Sequence, residues 1–148
     1  RSRGLGDVYK RQREHDLKVV ACDEPALVNV DARLMVQLVV NLVNNAITYT
    51  PAGSHIMISI SVDDGRVACS VADDGPGIAP EDRERIFKSF YTANHGLADS
   101  HRSVGLGLSL CRSIALAHGG SIEVAAADPH GSVFTIELPV ADVSFDKE

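Results

Sequence analysis

Five uncharged polar side chains recur at helical spacing within one short run of the sequence. They are Gln37, Asn41, Asn44, Asn45 and Thr48. Wound at 3.6 residues per turn, they fall within an arc of roughly 100°. Carboxamides offer hydrogen-bond donors, acceptors and oxygens that can ligate a hard cation. Such a stripe suits a bound phosphate chain and its Mg²⁺.

The other positions of the run 37–48 are apolar. They are Leu38, Val39, Val40, Leu42, Val43, Ala46 and Ile47. An ordinary surface helix carries one apolar stripe on a polar body, and this helix reverses that pattern. We therefore expect it to be packed on most sides, with the amides facing an enclosed polar space. The alternative, a cap and a few solvated amides, is disfavoured because asparagine is a mediocre helix former.

Two glycine elements could complete a nucleotide site. In the segment Val71–Ile78, Asp73 ends a strand and can accept a hydrogen bond from an exocyclic amine. Gly75 and Gly77 let the backbone approach a ring closely, and Ile78 closes the segment. A second element, at the start of a predicted helix, comprises Gly105, Leu106, Gly107 and Leu108. The free N–H groups at a helix N-terminus can bind phosphate. Taken singly, each element is a weak signal: a plain turn is the favoured interpretation of the first, and glycines before a helix, as in the second, are common.

Composition limits the class of protein. The 148 residues are 45% hydrophobic, enough for one core, and the net charge of −6 argues against a nucleic-acid surface. We find no apolar run of transmembrane length and no signal-peptide pattern. The three cysteines and six histidines lack metal-ligand spacing, so the cysteines are interpreted as reduced, buried residues of a cytoplasmic protein.

Periodicity and turn residues predict the elements that position these groups. Strands are expected at about 18–21, 26–30, 56–62, 66–72, 121–126 and 132–138. Helices are expected from an Asp31 cap to Tyr49, at 80–90 and at 105–118. Their order predicts a two-layer α/β sandwich, with a mixed, mostly antiparallel sheet of about five strands and about three helices on one face. Residues 1–17 are interpreted as a tail foreign to the domain, 18–139 as the domain and 140–148 as a polar tail.

Four motifs occur in a characteristic order. An N-x-x-x-N helix is followed by D-x-G-x-G after a strand, by F-x-x-F at Phe87 and Phe90, and by G-x-G-L at a helix start. In that order they resemble the ATP-binding domain of sensor histidine kinases, within the wider Bergerat-fold family of gyrase, Hsp90 and MutL. The resemblance covers about residues 18–139, and it implies ATP and Mg²⁺ as cofactors.

The resemblance implies a role for each matching residue. Asn41 corresponds to the catalytic, Mg²⁺-coordinating asparagine, Asn45 to a phosphate contact, Tyr49 to a residue beside adenine, and Asp73 to the carboxylate that bonds the adenine amine. The remaining ATP-binding positions shape the pocket floor or form the lid, and they are Gly75, Gly77, Ile78, Phe87, Phe90, Gly105, Leu106, Gly107 and Leu108.

Departures from the family pattern carry information. Gln37 stands where ATP-hydrolysing relatives carry a glutamate that activates water, which favours a kinase. Thr48 replaces a lysine that reaches the phosphates in many relatives, and Ser103 replaces a lid glycine. Residues 90–122 resemble the potassium-responsive sensor kinases of the Kdp type. Residues 91–104 are expected to be a lid that is mobile without nucleotide.

None of the histidines has the context of a phospho-accepting residue, so the chain is interpreted as the catalytic part of a larger kinase. Its expected partners are the dimerisation and His-phosphotransfer domain of the same protein and, through the full-length kinase, a response regulator. We expect a monomer on the cytoplasmic side of an inner-membrane sensor, without nucleic-acid or membrane contact. Alternatives are an anti-sigma-type serine kinase, an ATPase module of the wider family, or a degenerate nucleotide-binding interaction domain.

Overall fold

The computed structural model describes residues 15–21, 26–88 and 107–141. Five strands form one sheet in the order β1-β2-β3-β5-β4. Their bounds are Asp16–Val20 for β1, His55–Asp63 for β2, Arg66–Asp73 for β3, Ser121–Ala126 for β4 and Ser132–Pro139 for β5. Two α-helices, α1 (Ala32–Thr48) and α2 (Gly107–Ala117), and two 3₁₀ helices, Pro80–Asp82 and Arg85–Phe87, complete the described elements.

The sheet is mixed and mostly antiparallel, as expected. β1 pairs with β2 in parallel, and the other neighbouring strands pair antiparallel. The β2–β3 connection places Asp64 at φ 54° and Gly65 at φ 77°. Two consecutive residues with positive φ make a tight turn whose twist matches that of the strands, so the predicted hairpin is confirmed.

The core lies between one face of the sheet and the two α-helices. Along β5, every second residue from Ser132 to Leu138 is buried, which is the alternation of a strand covered on one face. The apolar residues of this core come from all layers, and the largest that are fully buried are Leu38, Leu42, Ile56, Val71, Cys111 and Ile136. The predicted two-layer α/β sandwich is confirmed.

Helix α1 begins and ends close to the predicted positions. The Asp31 side chain accepts hydrogen bonds from the backbone N–H of Arg33 at 3.0 Å and of Leu34 at 3.4 Å, which caps the first turn. The expectation that this helix is packed on most sides is wrong, because Val36 is 62% and Val40 47% exposed. The sheet and α2 cover only part of its circumference.

Two predicted elements differ in the structure. Residues 26–30 form no strand, since the apolar side chains of Val28 and Val30 pack against the core without ladder pairing. The carbonyl of Leu27 instead accepts a hydrogen bond from the N–H of Ala141 at 2.7 Å. In place of one helix over 80–90, the described residues form the two 3₁₀ helices.

Strand β1 begins at Asp16, two residues before the predicted start of the domain. The residues expected to form the lid, 91–104, lie outside the described part of the chain, as does Cys22. Of the other cysteines, Cys111 is buried as expected and Cys69 is half-buried, and both are free thiols. In the described ranges, none of the helices has the length and apolar character needed to cross a membrane.

Candidate functional site

Asp73 is held at the end of β3 by two backbone donors. It lies opposite Ser132 of β5 in the ladder. Its Oδ1 accepts hydrogen bonds from the N–H of Gly75 at 2.9 Å and of Ser132 at 3.3 Å. Burial raises the pKa of Asp73, although these two N–H groups oppose that shift. Its Oδ2 receives no hydrogen bond from the described residues, so it can serve an external donor.

The glycines around Asp73 are required by close backbone packing. A Cβ on Gly75 would overlap the methyl group of Thr50. Gly131, at φ +112°, faces the carbonyl of Asp73 so closely that any side chain would collide with it. Gly77, at φ +84°, approaches the carbonyl of Gly131. The D-x-G-x-G loop and the β4–β5 turn therefore close on each other around the carboxylate.

Helix α1 is joined to this loop through Thr50. The Thr50 hydroxyl donates to the carbonyl of Ala46 at 2.7 Å, which anchors it to the last turn of the helix. Its methyl group packs on Gly75. The end of the amide-bearing helix and the Asp73 loop therefore form one surface. Ile78 packs partly against the core, and its carbonyl accepts from Arg83 Nε at 3.3 Å.

The polar side chains of α1 are exposed to different degrees. Asn41, Asn44 and Asn45 are half-buried, whereas Gln37 and Thr48 are exposed. Tyr49 is the C-cap and is 45% exposed. The described residues contain no group of three or more histidine, cysteine, aspartate or glutamate side chains that could hold a metal. A cation here would depend on an amide oxygen and on the phosphates of its ligand, which suits Mg²⁺.

Helix α2 contacts α1 through Cys111. The Asn41 carboxamide lowers the pKa of the Cys111 thiol, against the larger opposite effect of burial. The Cys111 thiol itself donates to the carbonyl of Leu38 at 3.6 Å. Burial raises the pKa of Cys111 to about 12, so the thiol is protonated at neutral pH. The Cys111 thiol thus links α2 to the backbone of α1 at Leu38.

The motif residues near α2 are brought together only in part. Gly107 and Leu108 form its first turn, where unsatisfied N–H groups favour an anion, whereas Gly105 and Leu106 lie outside the described residues. Phe87 lies in the core, with its ring 6.1 Å from that of Phe134 in an edge-to-face contact. The guanidinium of Arg112 lies 5.8 Å from the centroid of the same ring. Phe90 is not among the described residues.

Sequence reasoning missed three residues of this site: Thr50, Gly131 and Ser132. Each contacts the Asp73 loop from a distant part of the chain, and Ser132 is 59 positions from Asp73. The sequence signalled only one of them: Gly131 ends the predicted turn between the last two strands. A glycine in a turn does not indicate which part of the chain the turn contacts. The arrangement as a whole offers a carboxylate for an amine, an amide wall and a helix N-terminus, which suits an adenine nucleotide.

Known proteins resemble this chain over most of its length. A family model described as "Histidine kinase-, DNA gyrase B-, and HSP90-like ATPase" matches residues 30–142. The sensor protein KdpD of Clostridium acetobutylicum is 35% identical over 86% of this chain, which spans only 14% of KdpD. The sensor-like histidine kinase SenX3 of Mycobacterium tuberculosis is 38% identical over 81% of the chain, which spans 30% of SenX3.

A solved structure supports the same comparison. Full-length ShkA, crystallised in complex with AMPPNP, matches 95% of this chain at a TM-score of 0.77 and 28% identity. The matched region is 30% of the ShkA chain. AMPPNP is an ATP analogue, and in that complex it is a ligand of ShkA.

Proposed function

This chain belongs to the family of histidine kinase-, DNA gyrase B- and HSP90-like ATPases, as a histidine kinase catalytic domain, and we propose that it positions Mg²⁺–ATP for phosphoryl transfer to a histidine on a separate domain. The single observation that carries the proposal is the Asp73 carboxylate, half-buried, with Oδ1 bound to two backbone N–H groups and Oδ2 available. That geometry suits the exocyclic amine of adenine.

Asp73 should also discriminate between bases. Adenine presents an amine donor at C6, whereas guanine presents a carbonyl acceptor there, which a carboxylate repels. A ligand that leaves a partly buried polar group unpaired loses about 1–3 kcal/mol of binding free energy, which lowers its affinity by a factor of roughly 10 to 100. We therefore assign adenine specificity to Asp73.

The phosphates and Mg²⁺ are assigned to α1 and to the start of α2. Asn41 would supply an amide oxygen to Mg²⁺, and Asn45 would hydrogen-bond a phosphate. The N–H groups at Gly107 and Leu108 would face phosphate oxygens. Bound Mg²⁺ neutralises charge on the phosphates, and this chain orients the nucleotide. Thr48 is exposed and adds no charge beside the phosphates.

The transfer itself needs mostly positioning. The bond from the γ-phosphorus to the bridging β,γ-oxygen breaks, a bond from the acceptor imidazole nitrogen forms, and ADP leaves. The imidazole proton passes to a base on the acceptor domain. Gln37, one turn before Asn41, cannot accept a proton from water at neutral pH, which supports transfer to a protein rather than hydrolysis.

Calorimetry on three proteins tests the nucleotide site. We expect wild-type chain to bind ATP in preference to GTP, and Asp73→Asn to bind ATP about 10- to 100-fold more weakly. Asp74→Asn is the matched control, since it removes the adjacent charge but leaves Oδ2 of Asp73 in place. Unchanged ATP affinity in Asp73→Asn would show that the adenine site is elsewhere. No ATP binding by a folded wild-type chain would instead favour a degenerate interaction domain.

A more specific proposal concerns the signalling pathway of the parent protein. We place the parent protein among membrane-anchored sensor kinases with this domain in the cytoplasm, acting on a response regulator, and we propose potassium or osmotic signalling. Support comes from the Kdp-like segment 90–122 and from the identity to KdpD, although SenX3 is equally similar. Disrupting the gene in its host should impair growth in low potassium, and normal growth there would contradict this assignment.

A further inference from the structure

His15 lies immediately before β1 and reaches the end of helix α1. Its Nε2 atom is 2.9 Å from the hydroxyl oxygen of Thr50, which is 35 positions later in the chain. The backbone N–H of Asp16 donates to the carbonyl of Ser54 at 3.0 Å, so the start of β1 is fixed against the turn that follows α1. His15 is half-buried and Thr50 is 9% exposed, so their contact is partly shielded from water.

The direction of the hydrogen bond between His15 and Thr50 follows from the other contact of that hydroxyl. Thr50 donates its one proton to the carbonyl of Ala46 at 2.7 Å, since a carbonyl oxygen can only accept. Toward His15 the hydroxyl oxygen can therefore only accept, and Nε2 of His15 must carry the proton. Two hydrogen bonds on one oxygen fix the χ1 angle of Thr50 and, with it, the direction of its methyl group.

The methyl group of Thr50 supports the Asp73 loop. It occupies the space in which a Cβ of residue 75 would lie, directly against the backbone of Gly75. The N–H of Gly75 in turn donates to Oδ1 of Asp73 at 2.9 Å. A different Thr50 rotamer would withdraw the methyl group from Gly75 and free the donor that holds the carboxylate.

We propose that His15 is a positioning residue for adenine recognition, which acts through the Thr50 rotamer on Gly75 and so on the Asp73 carboxylate. The inference rests on the proposed role of Asp73 as the adenine ligand. A carboxylate that is already held in its binding orientation loses less conformational freedom when the nucleotide binds, and this preorganisation raises affinity. The nucleotide site thereby extends to a residue that precedes the first strand.

Substitutions at position 15 separate the hydrogen bond from simple packing. His15→Leu fills part of the same space without a donor, whereas His15→Gln keeps an N–H group at similar reach. Val19→Ala is the matched control, because Val19 lies on the strand that His15 precedes and is 61% exposed.

Calorimetry gives the ATP affinity of each protein. We expect His15→Leu to weaken ATP binding about twofold to tenfold, the range for loss of one hydrogen bond. His15→Gln and Val19→Ala should keep the wild-type affinity. Unchanged affinity in His15→Leu, or equal losses in the two His15 variants, would overturn the proposal.

Combination with Asp73→Asn tests whether His15 acts through Asp73. In that background the group presented to the adenine amine is no longer a carboxylate, so His15→Leu should have little further effect on ATP affinity. Independent losses would instead multiply, and that outcome would give His15 a purely structural role. If Asp73→Asn alone bound ATP as tightly as wild type, the adenine role of Asp73 would be refuted, and this proposal with it.

The amide signal of Gly75 tests the link from His15 without any nucleotide. Because this N–H is hydrogen-bonded to Asp73, its proton chemical shift depends on the geometry of that bond. In nitrogen-15-labelled, nucleotide-free protein, we expect His15→Leu to move the Gly75 signal and His15→Gln to restore it. Val19→Ala should leave it in place. A Gly75 signal that does not move in His15→Leu would contradict the link, whatever the affinity for ATP.

Discussion

Asp73 and Asp74 are adjacent in the chain, yet their carboxyl groups are perturbed in opposite directions. Burial raises the pKa of Asp73. The pKa of Asp74 is lowered, first by the hydrogen bond from the His55 backbone N–H and then by the His55 side chain. Those two bonds are 2.7 and 2.8 Å long. The surroundings of Asp73 thus disfavour its charged form, whereas the hydrogen bonds to Asp74 favour the charged form of that carboxyl group.

The two substitutions should therefore change stability in opposite directions. A raised folded-state pKa gives stability that is present at acidic pH and lost as pH rises through it, so Asp73→Asn should be more stable than wild type at neutral pH. The amide oxygen of the new residue can still accept from Gly75 and Ser132. Thermal melts from pH 3 to 8 should show this gain disappearing in acid.

For Asp74 the sign is reversed. A lowered folded-state pKa gives stability that is present at neutral pH and lost as pH falls through it. Because the side chains of His55 and Asp74 are 68% and 36% exposed, Asp74→Asn should cost less than about 1 kcal/mol at neutral pH. The cost should vanish in acid. A loss of stability in Asp73→Asn at pH 7 that matches or exceeds that of Asp74→Asn would contradict both assignments.

At the scale of elements, the site is made where a loop, a turn and a helix end meet. The β4–β5 turn reaches the D-x-G-x-G loop through Gly131, and His130 Nδ1 lies 3.1 Å from the carbonyl of Gly75. Thr50 joins α1 to the same loop. A substitution in the β4–β5 turn should therefore change the position of the Asp73 carboxylate, although the two are far apart in sequence.

Gly131→Ala tests this coupling, with Gly53→Ala as its control. Both glycines have positive φ, +112° and +90°, but only Gly131 has backbone where a Cβ would lie. Gly53→Ala should cost roughly 1–2 kcal/mol for the backbone conformation alone and leave ATP binding intact. Gly131→Ala should cost more and weaken ATP binding at least tenfold. Denaturant melts and calorimetry provide both values, and equal behaviour of the two variants would refute the coupling.

For the whole molecule, the proposed division of labour predicts what the chain does alone. With Gln37 in place of a general base and no acceptor histidine in the expected context, the isolated chain should neither hydrolyse ATP rapidly nor phosphorylate itself. Mixed with the dimerisation hairpin of its parent protein, it should transfer phosphate from radiolabelled ATP to that hairpin.

Asn41→Ala should abolish that transfer, whereas Cys69→Val should preserve it. Rapid ATP turnover by the isolated wild-type chain would point to an ATPase module of the chaperone type. Phosphate appearing on a serine of a separate protein would point to the anti-sigma type of kinase.

Much of this protein is determined by short-range pattern. The capped helix α1, the β2–β3 hairpin, α2 with the glycines that follow it, and the two closing strands were all predictable. Each depends on side-chain period or on the backbone preference of two or three neighbouring residues. The same holds for Asp73 as a carboxylate at a strand end, and the order of motifs was enough to indicate the family.

Only the tertiary structure decided what those elements contact. Residues 26–30 have a strand-like pattern, but a strand also needs a ladder partner, and the described residues provide none. The exposed Val36 and Val40 show that an apolar helix face is buried only where another layer reaches it. Likewise, the hydrogen bonds of Ser132 to Asp73 and of Cys111 to Leu38 join residues that are 59 and 73 positions apart. Such contacts depend on how the layers pack, which no local period encodes.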